Sequence, residues 1–227
     1  MRYAILLDGA FVTKRFRAAT KRDASADDIV QICDRIRSDS LLDDLSLLRI
    51  YWYDAPPATE TVEHPVSGLR QQLAKTRVHH WAKELHDELE LRPDFALRMG
   101  EVSVQRVWTI DAADLRAIAA GSPLDPDCFR PKIEQKGVDL RIGLDIARLA
   151  LRGLVSVIVV VTGDSDMIPA FRFARREGVR VYLDTLGFPA ARRDLKAHAD
   201  RLLSTPLVAL SAAAASQPGA VSGGLLL

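Results

Sequence analysis

The sequence predicts a three-layer α/β/α fold with a mainly parallel central sheet. Apolar runs of strand length alternate with segments of helical periodicity, the pattern of a doubly wound sheet. The strongest run, residues 155–161, reads VSVIVVV, and its continuous β-branched character indicates a strand that is buried on both faces. A length of 227 residues is enough for one domain with a substantial core.

The first half of the chain shows two strands and two helices. Residues 3–7 form an apolar run that predicts a strand ending at Asp8. Ser25 and Asp28 have the spacing of a capping box and predict the start of a helix. Residues 47–53 are β-branched and aromatic, which favours a second strand. Apolar side chains spaced three, four or eight apart predict a helix over residues 65–92.

The second half continues the alternation. We expect one or two strands over residues 95–110, helices over 133–151 and 168–177, and strands over 155–161 and 179–183. Gly153 and Gly178 follow the two helices, as glycines commonly do at helix ends. Residues 1–204 are therefore predicted to form the domain. The small residues, Pro and Gly at 205–227 predict a flexible C-terminal tail.

Composition limits the class of protein. The net charge is +1, so any nucleic-acid binding must come from a local basic patch. Cys33 and Cys128 belong to no CxxC motif, which argues against a zinc knuckle or a disulfide scaffold and fits a reducing cytosol. No apolar stretch reaches the roughly 18 residues of a membrane span. We expect a cytoplasmic protein that does not associate with membranes. The sequence does not decide its oligomeric state and is compatible with a homo-oligomer.

Four aspartates occupy positions that a parallel sheet would bring to one edge. Asp8 follows the first strand, Asp164 and Asp166 follow the strand at 155–161, and Asp139 lies near the start of the helix before that strand. Parallel strands place their carboxyl ends at the same edge, where ligands bind. Clustered carboxylates repel one another, and a hard cation such as Mg²⁺ or Mn²⁺ relieves the repulsion. Such an ion can activate water against a phosphodiester.

Simpler roles compete with this interpretation. Asp164 or Ser165 could cap the helix that follows, Asp139 could serve the start of its own helix, and Asp8 with Gly9 could form an ordinary turn. Asp145 lies about 9 Å along the helix from Asp139 and about 120° around it, so both cannot readily contact one ion. Asp145 is therefore assigned a supporting or purely structural part. Three further neighbours of the acids receive the same assignment: Thr162, Ser165 and Lys136.

Three segments resemble the NYN domain family, the LabA-like proteins related to PIN ribonucleases. They are YAILLDGAF, KGVDLRIGLDIA and VVVTGDSDMIPAFRFARREGVRV, and the resemblance covers about residues 2–200 in the family's order. It implies a PIN-like fold and metal-dependent endonucleolytic cleavage of RNA. The acids that match the family's catalytic and metal-binding positions are Asp8, Asp139, Asp164 and Asp166. One departure is Phe11, because many members have an Asn in the motif after the first Asp-Gly.

Two basic segments are candidates for RNA binding. KRFRAATKR follows the first motif, with Phe16 as a possible stacking face for a base. Three arginines share one side of the helix after GDSD. Solvated helix faces are the alternative for both segments. We expect the RNA partner to be single-stranded rather than duplex. The predicted RNA contacts are Lys14, Arg15, Arg17, Lys21, Arg22, Arg172, Arg175 and Arg176.

The sequence suggests three functions of unequal merit. The favoured one is a metal-dependent endoribonuclease, and its main rival is a non-catalytic RNA-binding or regulatory scaffold on a nuclease-like fold. A phosphohydrolase with Asp8 as nucleophile is disfavoured, because Ala10 occupies the position of the second acid such enzymes need. A zinc site at His79, His80 and His86 is disfavoured as well, since adjacent residues on a helix point apart.

Overall fold

The computed structural model describes residues 1–207 and is built on one sheet of six parallel strands. Its strands are β1 (Arg2–Asp8), β2 (Ser46–Asp54), β5 (Phe95–Met99), β8 (Val157–Val161), β9 (Arg180–Asp184) and β10 (Arg201–Leu203). From edge to edge the strand order is β10-β9-β8-β1-β2-β5, and every neighbouring pair is parallel. The predicted fold class is therefore confirmed.

Helices cover both faces of the sheet, and each face has its own hydrophobic core. Alternate residues of β1 divide between them: Ile5 and Leu7 face one core, whereas Ala4 and Leu6 face the other. The first core is completed by α1 (Gly9–Thr20), α2 (Ala26–Arg37) and α3 (Arg77–Glu90). The second is completed by α5 (Val138–Leu151), α6 (Ile168–Arg176) and the short α7 (Arg193–Ala197).

Two antiparallel ribbons lie outside the main sheet. The smaller pairs β3 (Thr61–Glu63) with β4 (Arg70–Gln72). The larger pairs β6 (Glu101–Ile110) with β7 (Phe129–Lys136), and the short α4 (Ala112–Ala119) lies in the connection between them. The larger ribbon leads directly into α5.

Several local predictions are confirmed by side-chain contacts. Ser25 and Asp28 form the predicted capping box at the start of α2. The apolar residues on one face of this helix are buried: Ile29, Ile32, Cys33 and Ile36. β8 is buried at each of its five positions and lies between β1 and β9. One face of α5 is buried as well, and its residues are Val138, Ile142, Ile146, Leu149 and Ala150.

The helix predicted over residues 65–92 is wrong over residues 65–76. Residues 61–72 form the β3–β4 ribbon, in which Gly68 has a φ of 69° and its N–H donates to His64 O. Val66 and Leu69 are 49% and 72% exposed, so their helical spacing did not reflect a buried face. The helix begins only at Arg77, where the Thr76 side chain accepts a hydrogen bond from His79 N–H.

The helix predicted over residues 133–151 is also too long at its start. Ile133 lies in β7 and pairs with Val104 of β6, because cross-strand pairing overrides local helical spacing. Gly137 ends the strand with a φ of 72°, and α5 begins at the next residue. This correction places the predicted site residue Lys136 at the end of a strand.

The packed chain extends past the predicted domain end. Thr205 is buried and donates hydrogen bonds from its N–H and hydroxyl to Asp184, and Leu207 lies in the first core. The rest of the predicted tail, residues 208–227, lies outside the described residues. No helix within residues 1–207 is long and apolar enough to cross a membrane.

Candidate functional site

The carboxyl edge of the sheet carries an aspartate at the end of three strands. Asp8 ends β1, Asp54 ends β2 and Asp184 ends β9. β8 ends at Val161, which lies beside Leu7 in the sheet register, and the chain then turns through Thr162 into the GDSD segment. The helices α1 and α5 begin at this edge, so positive helix ends face the acids.

Asp8 is fixed at the start of α1 by two hydrogen bonds. Its Oδ1 accepts from Phe11 N–H at 3.1 Å, and its Oδ2 accepts from the Thr162 hydroxyl at 2.9 Å. Each carboxylate oxygen keeps a second lone pair for another partner. The Phe11 ring packs edge-on to Phe188, and a Cβ on Gly163 would lie 2.5 Å from it. Phe11 therefore fills this loop with apolar contacts and serves Asp8 through its backbone.

Thr162 links Asp8 to the GDSD segment. It is fully buried, and its Oγ1 accepts from Asp164 N–H at 3.1 Å while its hydroxyl donates to Asp8. Asp164 in turn accepts from Asp166 N–H at 2.9 Å through Oδ1. One buried hydroxyl thus holds two of the four acids in relation to each other.

Asp139 and Asp166 complete the acidic cluster from the solvent side. Asp139 lies in the first turn of α5, and Asp166 lies in a short 3-10 helix just before α6. Both residues are exposed. Neither carboxylate accepts a hydrogen bond or forms a salt bridge within residues 1–207, so both are free to turn.

The pKa values of Asp8 and Asp139 are raised in part by the charges of the neighbouring acids. Burial raises the pKa of Asp8 to about 6, against the hydrogen bonds from Phe11 and Thr162, and the charges of Asp139 and Asp164 raise it further. Partial desolvation raises the pKa of Asp139, and the charges of Asp164 and Asp166 add to the effect. The structure therefore brings the predicted acids together at one edge.

The cluster offers only carboxylate oxygens as ligands, and such oxygens suit a hard divalent cation. Two of its carboxylates, those of Asp8 and Asp164, are held in place by hydrogen bonds. Within residues 1–207, however, no three side chains of His, Cys, Asp or Glu already surround a single point closely enough to hold an ion. Rotation of the two exposed carboxylates, Asp139 and Asp166, would be needed to bring them round a shared cation.

Capping explains part of the same geometry. Asp8 caps α1, and Asp164 caps the 3-10 helix that contains Ser165. Asp139 caps nothing, because Gly137 occupies the cap position of α5 and the helix has no side-chain cap. The capping role expected for Asp164 thus falls on the short 3-10 helix and not on α6, whose cap position is Met167 without a side-chain cap. Asp8 is a helix cap where an ordinary turn was the alternative, and capping does not account for Asp139.

Asp145 lies apart from the cluster. Its Oδ2 accepts hydrogen bonds from Tyr53 OH at 2.9 Å and Arg98 Nε at 3.1 Å. Burial and the neighbouring Asp145 charge raise the pKa of Tyr53. Asp145 therefore ties α5 to β2 and β5. Lys136, also predicted as a neighbour of the acids, is exposed three residues before Asp139.

The basic residues of KRFRAATKR divide between two sides of α1. Lys14 and Arg17 line a groove beside α3, whereas Arg15 faces the other way and lies over the Phe188 ring at 5.0 Å. Lys21 is exposed just past the end of the helix.

Arg22 and Phe16 both make contacts within the fold. Both terminal nitrogens of Arg22 donate to the Asp28 carboxylate at 2.6 Å, and its guanidinium lies 4.8 Å from the Phe16 ring centroid. Phe16 is fully buried, so the sequence-based expectation that it offers a stacking face is wrong. Its apolar ring belongs to the first core.

The three arginines of α6 extend away from the acids. α6 begins near the cluster at Ile168 and leads toward the opposite edge, where β9 begins at Arg180. Arg175 donates to Asp200 at 2.9 Å and is thereby engaged in the fold. The exposed Arg172 and Arg176 remain predicted RNA contacts.

Sequence reasoning missed the two other strand-end aspartates. Asp54 is buried and accepts from Gln135 Nε2 at 2.6 Å, with His86 Nε2 3.0 Å away. Asp184 is fully buried, and its carboxylate anchors Thr205. Each follows an apolar strand as Asp8 does, and that shared position was the available signal.

Comparison with protein-family models matches residues 94–208 to the NYN domain, about half of the chain. The chain belongs to the NYN domain family. The NYN match contains Asp139, Asp164 and Asp166, while Asp8 lies before it and joins them through the β1–β8 pairing. The resemblance to the NYN domain family is therefore confirmed. The family match begins at residue 94, whereas the resemblance seen in the sequence begins at about residue 2.

Two individual similarities accompany the NYN match. An uncharacterized protein from Methanocaldococcus jannaschii is 28% identical over 99 residues, which cover 44% of this chain and 40% of that protein. The chain thus spans well under half the length of this relative. A crystal structure of a protein of unknown function from Vibrio parahaemolyticus covers 89% of this chain and 91% of that one, with 17% identity and a TM-score of 0.48. Neither similarity bears on function.

Proposed function

We propose that this NYN domain is a metal-dependent endoribonuclease that hydrolyses RNA phosphodiester bonds. The observation that carries the proposal is the convergence of four aspartates at the carboxyl edge of the sheet, where the charges of Asp139, Asp164 and Asp166 add to burial in raising the pKa values of Asp8 and Asp139. A cluster of carboxylates with raised pKa values at a ligand-binding edge is a common sign of a functional site. Membership of a family of nuclease-like domains supports the same reaction.

The four acids would hold Mg²⁺ or Mn²⁺, which when bound activates water and stabilises charge that develops on the scissile phosphate. Thr162 keeps the carboxylate of Asp8 and the backbone of Asp164 in fixed relation. The amino-terminal ends of α1 and α5 favour a phosphate at the same edge. Asp139 and Asp166, both exposed, adjust around the ion and substrate.

A cleavage assay on matched RNA and DNA oligonucleotides tests the proposal. We expect the purified protein to cut single-stranded RNA when Mn²⁺ or Mg²⁺ is supplied, and to stop when EDTA removes the metal. The DNA strand should be cut more slowly or not at all. Binding of RNA with no cleavage under any of these metals would support the non-catalytic scaffold instead, which the capping roles of Asp8 and Asp164 favour.

Thr162→Val should weaken the site while preserving its packing. Valine has nearly the shape of threonine, but it leaves Asp8 Oδ2 and Asp164 N–H without their partner. Because that hydrogen bond lowers the pKa of Asp8, its loss should raise the pKa above the present value of about 6. We expect cleavage to fall about 10- to 100-fold and its acidic limb to move to higher pH.

Thr162→Ser is the matched control for this variant, because serine restores the hydroxyl. Its pH–rate profile should lie close to that of the wild type. A Val variant with an unchanged acidic limb would show that Thr162 does not position the acids.

We further propose that the protein acts in the cytoplasm. Cys33 and Cys128 are both buried free thiols, which suits a reducing compartment.

A further inference from the structure

A groove of about 840 Å³ opens beside the acidic cluster, on the other side of α1. Its walls are α1, α3 and the β6–β7 ribbon, and we name it the α1–α3 groove. Ala10 and Thr13 line its near end, so the groove starts two residues from Asp8. Asp54, at the end of the strand next to β1, lies at its floor. Its other lining residues include Lys14, Arg17, Arg77, Trp81, Phe129 and Arg130.

Positive charge dominates the lining. Four cations, Lys14, Arg17, Arg77 and Arg130, stand against the single carboxylate of Asp54. Asp54 is already satisfied by Gln135, His86 and its neighbour's backbone N–H. This concentration is local, because the whole chain carries a net charge of only +1. A polyanion therefore fits the groove.

The four cations differ in their salt bridges to neighbouring carboxylates. Arg17 and Arg77 share one partner, Asp23, and the Arg77 side chain is still 84% exposed. Lys14 and Arg130 form no salt bridge with any residue between 1 and 207. Most of the positive charge thus remains available to an incoming phosphate.

Apolar and aromatic surface lies between these cations. Trp81 is fixed by a hydrogen bond from its indole N–H to Ala24 O at 2.8 Å, and Phe129 stands on the β7 wall. Val78 and Ile133 line the same groove although they are 57% and 44% exposed. A duplex presents phosphates to a protein and buries its bases, whereas a single strand offers both phosphates and base faces.

We propose that the α1–α3 groove binds a segment of single-stranded RNA next to the scissile bond. Phosphates contact Lys14, Arg77 and Arg130. Unstacked bases pack against Phe129 and the apolar wall, because the Arg17 guanidinium already lies 5.4 Å from the centroid of the Trp81 ring. The strand then crosses the start of α1 to reach the acids. The choice of RNA rests on the proposed function, but binding in the groove requires neither metal nor cleavage.

The test measures binding by fluorescence anisotropy in EDTA, with the full chain and a labelled single-stranded RNA. The groove variant combines Arg77→Glu with Arg130→Glu. The control variant makes the same charge change at the opposite edge of the sheet, with Arg2→Glu and Arg180→Glu at the exposed first residues of β1 and β9. We expect the groove variant to bind at least about tenfold more weakly, with a salt slope reduced by about 1.4. The control variant should bind nearly as the wild type does.

Three results would overturn the inference. The groove and control variants could lose equal affinity, a duplex of the same sequence could bind as tightly as the single strand, or polyglutamate could compete as well as unlabelled RNA. The last result would assign the groove to an acidic protein partner.

Cleavage measured separately distinguishes this failure from failure of the nuclease proposal. Normal RNA binding by the groove variant, together with metal-dependent cleavage by the wild type, rejects only the groove. Weakened binding by the groove variant, with no cleavage by the wild type, rejects only the nuclease.

Discussion

Asp164→Asn is expected to lower Mn²⁺-dependent cleavage of single-stranded RNA by at least about 100-fold, because the variant removes a proposed metal ligand. The fold should survive, since an Asn side-chain oxygen can still accept the hydrogen bond that Asp166 N–H donates to Asp164. Initial rates of cleavage at saturating Mn²⁺ measure the effect, and circular dichroism checks the fold.

Asp44→Asn provides the matched control. Asp44 is exposed in the turn before β2, at the opposite edge of the sheet from the cluster, and accepts no hydrogen bond from any residue in 1–207. The control removes one negative charge and should cleave as the wild type does. Full activity in purified Asp164→Asn would remove Asp164 from the catalytic assignment.

Asp8→Asn is expected to stabilise the metal-free protein at about pH 8 while it abolishes metal-dependent stabilisation. The folded state raises the pKa of Asp8 from 3.8 to about 6, so ionisation of this carboxyl group costs folding free energy above that pH. An uncharged amide avoids the cost. The free energy of unfolding should rise by about 1–3 kcal/mol, the upper value being the shift of about two pKa units.

The pH dependence gives this prediction an internal control. A raised carboxyl pKa contributes stability that is complete below 3.8 and is lost as the pH rises through about 6. The advantage of Asp8→Asn over the wild type should therefore be largest above the folded pKa, should decline as the pH falls through about 6, and should vanish only below 3.8. Thermal unfolding in EDTA across this range measures it.

Millimolar Mn²⁺ should raise the melting temperature of the wild type by mass action and leave that of Asp8→Asn unchanged. If the variant unfolds at lower temperature than the wild type at about pH 8 and still responds to Mn²⁺, Asp8 is a structural cap rather than a member of a metal site.

The central sheet was predictable because its strands are unambiguous. Residues 155–161 are β-branched without interruption, and only a strand buried on both faces accommodates such a run. The ribbons were not predictable in the same way. Ile133 has helical spacing with the residues of α5, yet it pairs with Val104, a contact between segments that sequence periodicity does not encode.

The acidic cluster was predictable in part from the topology of a parallel sheet. Parallel strands fix where Asp8 and the GDSD segment must lie, whatever the intervening loops do. The bridge through Thr162 was not visible, because a threonine after a strand has no distinctive pattern. The separate role of Asp145 followed from helix geometry, but its partners Tyr53 and Arg98 lie far away in sequence.

Anomalous scattering from crystals soaked in Mn²⁺ tests most directly whether these acids share a cation. We expect a peak among Asp8, Asp139, Asp164 and Asp166, with carboxylate oxygens about 2 Å from the metal. The peak should be absent from crystals of Asp8→Asn grown and soaked identically. A wild-type map with Mn²⁺ bound elsewhere on the protein, and no peak at the carboxyl edge of the sheet, would contradict the proposed metal site.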